Sequence, residues 1–224
     1  MSVPRIRLLL LIALVMVVAV AFPVQGAEFS IGAVAGYNGG PAVKVSGRVS
    51  DFAQGFPLAV EAAMGYTSRD PGDPLEARRI FINDNTNGTP ESKGWVWNAR
   101  LDFLYKVRML GLQDVSVFVG PRYSMFTGDF VYVGGNEDFE VTSNQWGIGL
   151  GAKASFPMGK KFSFTVEAGF DYFFSSTLYG HDTSYSPDGV TINGNHDYTY
   201  KDADTAINQP RFIPAVMLGI SFGL

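Results

Sequence analysis

Strict alternation of apolar and polar residues constrains the fold of this chain more than any other feature. In residues 162–174 (FSFTVEAGFDYFF), every even position is apolar or aromatic, and the odd positions are mostly small or charged. A period of two predicts a β-strand, because successive side chains point to opposite faces. One such segment also fits a half-buried strand of a soluble sandwich, so the test is whether the pattern repeats.

The alternation recurs in eight segments. They are residues 28–37, 42–50, 57–67, 95–107, 115–126, 146–156, 162–174 and 211–224. The connections after the second, fourth and sixth segments are short, whereas those after the third, fifth and seventh are long; the short first connection is the exception. This asymmetry is typical of bacterial outer-membrane barrels, which have short periplasmic turns and long outer loops. The eighth segment is expected to pair with the first, which removes both sheet edges.

The three long connections, residues 68–93, 127–144 and 175–210, are predicted to be loops because they are rich in polar residues and turn formers. The second of them contains a hairpin signal of its own. Residues 129–133 and 139–142 flank a Gly-Gly-Asn turn at 134–136.

The N-terminal segment, residues 1–26, is predicted to be a secretory signal peptide. Arg5 and Arg7 precede an apolar run over residues 8–22, and small residues follow. Cleavage after Gly26 leaves residues 27–224 as one barrel domain.

The chain has no cysteine, which excludes disulfides and thiolate metal sites, and its net charge of −4 provides no basic surface for nucleic acid.

The composition of the two faces predicts that the apolar face points outward. That face almost lacks charge, as a hydrocarbon-facing surface requires, because Arg or Lys at the bilayer midplane costs about 2–4 kcal/mol. The polar face is mostly Gly, Ala, Ser and Thr with isolated charges. A soluble barrel would show the reverse arrangement. In a narrow lumen, Gly147, Gly149 and Gly151 would make room for long neighbouring side chains.

Over residues 27–224 the chain resembles the eight-stranded outer-membrane barrels of the OmpA/OmpX type. The signal peptide, the eight segments, the loop asymmetry and the alternation from Val216 to Phe222 carry the resemblance. It implies an all-β, antiparallel, up-and-down transmembrane barrel in the bacterial outer membrane, in contact with lipid and lipopolysaccharide. It also implies recognition of the last strand by the barrel-assembly machinery. That strand often ends in an aromatic residue in this family, whereas this chain ends in Leu224.

The inward face carries the candidate site residues, which form a charge network in the predicted lumen. They are Lys44, Arg48, Glu61, Arg100, Asp102, Lys106, Arg122, Lys153, Glu167 and Asp171. Counting through the short turns places Arg48 opposite Glu61. The same counting places Lys153 opposite Glu167, and Arg122 opposite or diagonal to Arg100 and Asp102. The network is interpreted either as a gate or polar conduit or as a solid electrostatic core, and the narrow lumen of eight strands favours the core.

No catalytic residue, cofactor or metal site is predicted. The only two histidines, His181 and His196, lie in the last long loop, where neighbouring Ser and Asp residues are expected anyway. Residues 127–144 and 175–210 carry nine acidic residues and one basic residue. Their spacing matches no EF-hand loop, so solvated acidic loops are preferred over a Ca²⁺ site or divalent-bridged lipopolysaccharide contacts.

The sequence therefore predicts a non-enzymatic barrel with a largely filled polar lumen. Its expected role is to contribute to envelope structure and to present outer loops for binding or adhesion. Two alternatives stay open: a narrow channel for small or hydrophobic solutes, and an enzyme that modifies lipid A or phospholipids. The sequence identifies neither an external ligand nor an oligomeric state.

Overall fold

The computed structural model describes residues 26–84, 87–109, 112–135 and 138–224, and it is almost entirely β-sheet. Eight strands form the barrel: β1 (Glu28–Asn38), β2 (Pro41–Ser50), β3 (Leu58–Arg69), β4 (Thr89–Met109), β5 (Leu112–Val133), β6 (Phe139–Pro157), β7 (Phe162–Phe173) and β11 (Phe212–Gly223). Three two-residue strands lie between β7 and β11: β8 (Leu178–Tyr179), β9 (Ser184–Tyr185) and β10 (Thr191–Ile192). Two helices complete the fold: α1 (Pro74–Phe81) and α2 (Tyr200–Ala206).

The sheet closes on itself. Each barrel strand pairs antiparallel with its neighbours in the chain, and β11 pairs with both β7 and β1. The predicted pairing of the last strand with the first is therefore confirmed, and so is the eight-stranded antiparallel fold. Because the barrel is closed, none of its eight strands is left with an edge of unpaired backbone N–H and C=O groups. A sheet that spans lipid requires this.

The apolar set faces outward, as predicted. Val45, Trp146 and Leu218 are each at least half exposed, whereas the opposite face of the same strands is mostly buried. Aromatic pairs mark both ends of this belt, with Tyr66 against Trp97 at the long-loop end. Amphipathic rings are favoured at membrane interfaces.

Within the described residues, no helix is both long enough and apolar enough to cross a membrane.

Strands β4, β5 and β6 are far longer than the other barrel strands. They contain 21, 22 and 19 residues, against 10 to 12 in the rest. A tilted strand needs only about 9–11 residues to cross the bilayer, so these three continue beyond the long-loop end. The predicted hairpin at 129–142 is confirmed as the tip of β5 and β6.

The prediction that residues 68–93 are a loop is wrong for part of that stretch, which contains α1 and the start of β4. Helix α1 begins where its sequence favours a start, because the Asp73 side chain accepts hydrogen bonds from the backbone N–H groups of Leu75 and Glu76, and Pro74 occupies the first turn. The last long connection also holds structure, namely β8 to β10 and α2. The predicted signal peptide lies outside the described residues except for Gly26.

Candidate functional site

Eight charged side chains meet inside the barrel, and we refer to them as the lumen network. They are Lys44, Glu61, Arg100, Asp102, Arg122, Lys153, Glu167 and Asp171. Each is buried, and together they comprise four cations and four anions. A buried charge costs several kcal/mol unless it is paired and hydrogen-bonded, so the balance of charge is a condition for folding.

Arg122 of β5 lies at the centre of the half of the lumen network that is nearer the long loops. Its Nε lies 2.6 Å from Oδ1 of Asp171, and its Nη1 lies 2.7 Å from Oδ1 of Asp102. Arg100 approaches the other oxygen of Asp102 at 3.2 Å. The two guanidinium groups are thus held close together by the carboxylate between them.

Pairs in the other half of the network reach across the lumen. Lys44 Nζ of β2 lies 2.6 Å from Oε2 of Glu167 on β7. Lys153 Nζ of β6 lies 2.6 Å from Oε2 of Glu61 on β3. In each pair the two strands are three apart around the barrel. Arg100 joins the halves, since its Nη1 lies 3.2 Å from Oε1 of Glu167.

Glycines provide the space for these long side chains. A Cβ on Gly149 would overlap both Asp171 Oδ1 and Arg122 Nε, and a Cβ on Gly151 would press on the ring of Phe118. The predicted role of these two glycines is confirmed. Phe118 lies below both arginines, with its ring centroid 5.3 Å from the guanidinium carbon of Arg100.

Two of the ten predicted site residues do not join the network. Lys106 is exposed near the short-turn end of β4. Arg48 is half-buried and stands opposite Glu61 in the predicted register. The expected Arg48–Glu61 ion pair is wrong, because Glu61 pairs with Lys153 instead. Register fixes the neighbours along a sheet, but a long side chain pointing into a barrel also reaches the opposite wall.

Above the network, the same inward faces become apolar and are covered by the connecting segments. We call this region the cap: the described parts of residues 70–96, 126–143 and 175–210. Its core contains inward residues of β4 to β6 and residues of both helices. They include Val96, Phe126, Phe130, Phe139, Val141, Ala77, Ile80, Phe81, Ala203, Ala206 and Ile207. The helices therefore lie on the lumen side of the extended strands.

Backbone contacts join the two longest connections. Gly72 forms a β-bridge with Ile207, and the Asp73 N–H donates to the Ala206 carbonyl at 2.9 Å. Gly72 has a φ of +119°, and a Cβ there would overlap that carbonyl, so glycine allows the approach. Arg69 at the end of β3 donates from Nε to the Asn208 carbonyl at 2.7 Å.

Tyr185 anchors the β9–β10 hairpin in the cap core. It is fully buried, donates from its hydroxyl to the Ile80 carbonyl at 3.0 Å, and accepts from the Asn195 N–H at 3.1 Å. Burial raises the pKa of Tyr185 above its ordinary value, so the hydroxyl keeps its proton. The hairpin is thus fixed to α1 by a hydroxyl that both donates and accepts.

An open groove of about 480 Å³ lies on the flank of the cap. Asp129, Asp138, Glu140, Tyr179 and His181 are among the residues that line it. His181 and its partner Asp182 are both largely exposed, with Nδ1 and Oδ2 3.2 Å apart. In the described part of the chain, no group of three or more His, Cys, Asp or Glu residues is arranged to hold a metal ion.

A closed barrel with an apolar belt, aromatic residues at both ends of the belt and a charged interior defines an integral membrane protein of the outer-membrane type. Comparison with solved structures agrees. A major outer membrane protein from Thermus thermophilus matches with a TM-score of 0.71 and 25% identity, over 89% of this chain and 100% of that one. The protein is therefore an eight-stranded β-barrel protein of the bacterial outer membrane.

Two further solved structures are more distant. Neisserial surface protein A matches with a TM-score of 0.40 and 11% identity, over 88% of this chain and 97% of that one. CarO2 of Acinetobacter baumannii matches with a TM-score of 0.40 and 16% identity, over 88% and 99% respectively. No family model matches the sequence, and no curated protein matches it.

Proposed function

We propose that this outer-membrane barrel is a non-enzymatic, non-conducting protein that contributes to envelope structure and displays its cap at the cell surface for binding or adhesion. The lumen network carries the proposal. Ion pairs that reach from β2 to β7 and from β3 to β6 occupy the interior, and every member is buried. An ion in transit would have to separate charges that lie 2.6 to 2.7 Å apart.

The cap supports the display function. Its own apolar core and the joined connections make it a folded surface, and an open groove beside Tyr179 lies on its flank. Because outer-membrane barrels place their long loops outside the cell, this surface faces the medium. His181 and Asp182 are both largely exposed, with Nδ1 and Oδ2 3.2 Å apart, which suits a solvated surface pair.

We further propose lipid, lipopolysaccharide and the assembly machinery as partners. The aromatic pair of Tyr66 and Trp97 suits contact with lipopolysaccharide at the outer interface. The apolar alternation of β11 up to Phe222 is the surface that the barrel-assembly machinery would recognise.

Conductance in a planar bilayer tests the closed lumen. The purified protein should give no single-channel steps, and Arg122→Ala combined with Asp171→Ala should raise leakage. Steady steps from the unchanged protein would instead favour a narrow channel.

The absence of cysteine makes the orientation of the cap directly testable. Val190→Cys, at the exposed tip of the β9–β10 hairpin, should react with a membrane-impermeant maleimide on intact cells. Gln54→Cys, in the short turn before β3, should react only after the cells are opened. The reverse labelling pattern would exclude display of the cap.

Adherence tests the binding role. Cells that produce Tyr179→Ser should adhere less to glass, or to one another, than cells that produce the unchanged protein at equal surface level. If cells with either form adhere no better than cells that lack the protein, this part of the proposal is removed.

A further inference from the structure

A small cavity lies in the lumen between the lumen network and the short-turn end. Its volume is about 20 Å³, and strands from both walls of the barrel line it. Three charged residues are at its surface: Arg48, Glu61 and Lys153. The remaining polar lining is hydroxylic, from Ser30, Ser46, Ser155, Thr165 and Ser221.

The charges around this cavity do not balance. Glu61 is already paired, because Lys153 Nζ lies 2.8 Å and 2.6 Å from its two carboxylate oxygens. Within the described residues, Arg48 makes no hydrogen bond and no ion pair. The eight members of the lumen network neutralise one another, so Arg48 contributes an uncompensated positive charge to a partly enclosed space.

The lining is also rich in donors. Serine and threonine hydroxyls rotate to donate a hydrogen bond, and a guanidinium donates in several directions without accepting. Donors that surround a cation suit an anion, since hydrogen bonds to charged acceptors are the stronger ones. A volume of about 20 Å³ holds roughly one water-sized particle. That space is enough for a single-atom anion.

We propose that this cavity binds one halide ion, with Arg48 as its charge partner and the surrounding hydroxyls as donors. The site completes the charge balance of the lumen from the side that, by the topology of outer-membrane barrels, faces the periplasm. Chloride is the abundant ion of this class. Halide binding at this cavity depends neither on whether the lumen conducts ions nor on what the cap binds.

Halide-dependent stability tests the proposal, with bromide as the probe. The protein in detergent micelles is heated in sodium bromide or in sodium gluconate at equal concentration, and the loss of the fast-migrating folded band is followed on gels. Binding at ten times the dissociation constant should raise the midpoint by about 3–5 °C in bromide. Arg48→Gln should remove this difference. Lys106→Gln, which deletes an exposed charge near the same end of the barrel, should retain it.

A crystal grown in bromide locates the ion by its anomalous scattering, and the expected peak lies between Arg48 and Ser46. If Arg48→Gln does not fold, Ser155→Val takes its place, because it fills the cavity while leaving the arginine; it should also abolish the bromide effect. The proposal is overturned if the unchanged protein responds equally to both salts. It is also overturned if the Arg48 and Lys106 variants respond alike, or if the filled variant keeps the response.

Discussion

The lumen network and the cap core are built on the inward faces of the same strands, yet their chemistry is opposite. On β5, Arg122 belongs to the charged layer, and Phe126, only four residues further, lies in the apolar core. On β6, the inward residues likewise change from the charged Lys153 to the apolar Val141. Both regions are buried, so exclusion of water does not explain the difference.

The difference in chemistry follows from the part of the protein that covers each inward face. Inside the barrel, an inward side chain faces the opposite wall, whose positions alternate between small residues and complementary charges. Above the barrel mouth, the opposite wall is absent, because β1, β2 and β3 end near the membrane. The helices take its place there and bring Ile80 and Ala203. Apolar burial contributes stability without strict geometry, whereas buried ion pairs require it.

The first prediction tests the charged side of this comparison. Arg122→Met should destabilise the barrel by about 3–5 kcal/mol, because Asp102 and Asp171 are left buried without their main partner. Urea unfolding in micelles, followed by tryptophan fluorescence, measures the loss. Lys106→Met, at an exposed position, should change little. A loss below about 1 kcal/mol would mean that the network is not a stability element.

The apolar side is tested by Phe130→Ala. Phe130 is fully buried and stacks on Phe139 with ring centroids 5.1 Å apart. Its truncation should cost about 3–5 kcal/mol of cap stability, seen as faster proteolysis of the cap while the folded barrel band persists. Val133→Ala, exposed on the same strand, is the matched control. If the barrel band is lost together with the cap, the two regions unfold as one unit.

A double-mutant cycle sharpens the comparison at one pair. Glu61→Ala and Lys153→Ala should couple by about 1–3 kcal/mol, since each single change leaves a buried charge. A parallel cycle of Glu61→Ala with Arg48→Ala should show little coupling. Strong coupling in the second cycle would mean that Arg48 and Glu61 do form the ion pair expected from the strand register.

Space inside the network is tested by Gly149→Ala. The added methyl group meets Arg122 and Asp171, so the pair must shift, at a cost of about 1–3 kcal/mol. Gly159→Ala adds the same group in a turn where nothing lies within 4 Å, and its effect should stay within about 0.5 kcal/mol. If both variants lost the same stability, the lack of space around Gly149 would not explain its effect.

The smallest effect concerns pH at the cap. The Thr199 hydroxyl donates to the Asp202 carboxylate at 2.6 Å, which lowers the pKa of Asp202 below its ordinary value. This hydrogen bond therefore stabilises the folded cap at pH values above the pKa of Asp202 in the unfolded chain, which is near 4. The stabilisation is lost as the pH falls through the lower pKa of Asp202 in the folded protein. An NMR titration should find this lowered pKa, and Thr199→Val should return it toward the ordinary value. An unchanged Asp202 pKa in that variant would contradict the assignment.

Part of the cap was predictable from sequence. Asp73 followed by Pro74 is a helix-start signal, and Thr199 with Asp202 is another, since the Asp202 carboxylate also accepts from the Thr199 N–H. These signals lay within stretches that polar composition marked as loops. The part of β4 before residue 95 was missed because its Pro, Ser and Gly residues break the alternation.

Local patterns in the chain were enough to define the eight barrel strands, their closure and the outward apolar face, because alternation is a property of neighbouring residues and short turns set the register. They also showed which charges point inward. Register also predicted two neighbours correctly, Lys153 opposite Glu167 and Arg122 beside Asp102. The closer pairs across the lumen, Lys44 with Glu167 and Lys153 with Glu61, came from the folded barrel alone. Such contacts depend on how a closed sheet brings its opposite walls together, and no local pattern records that distance.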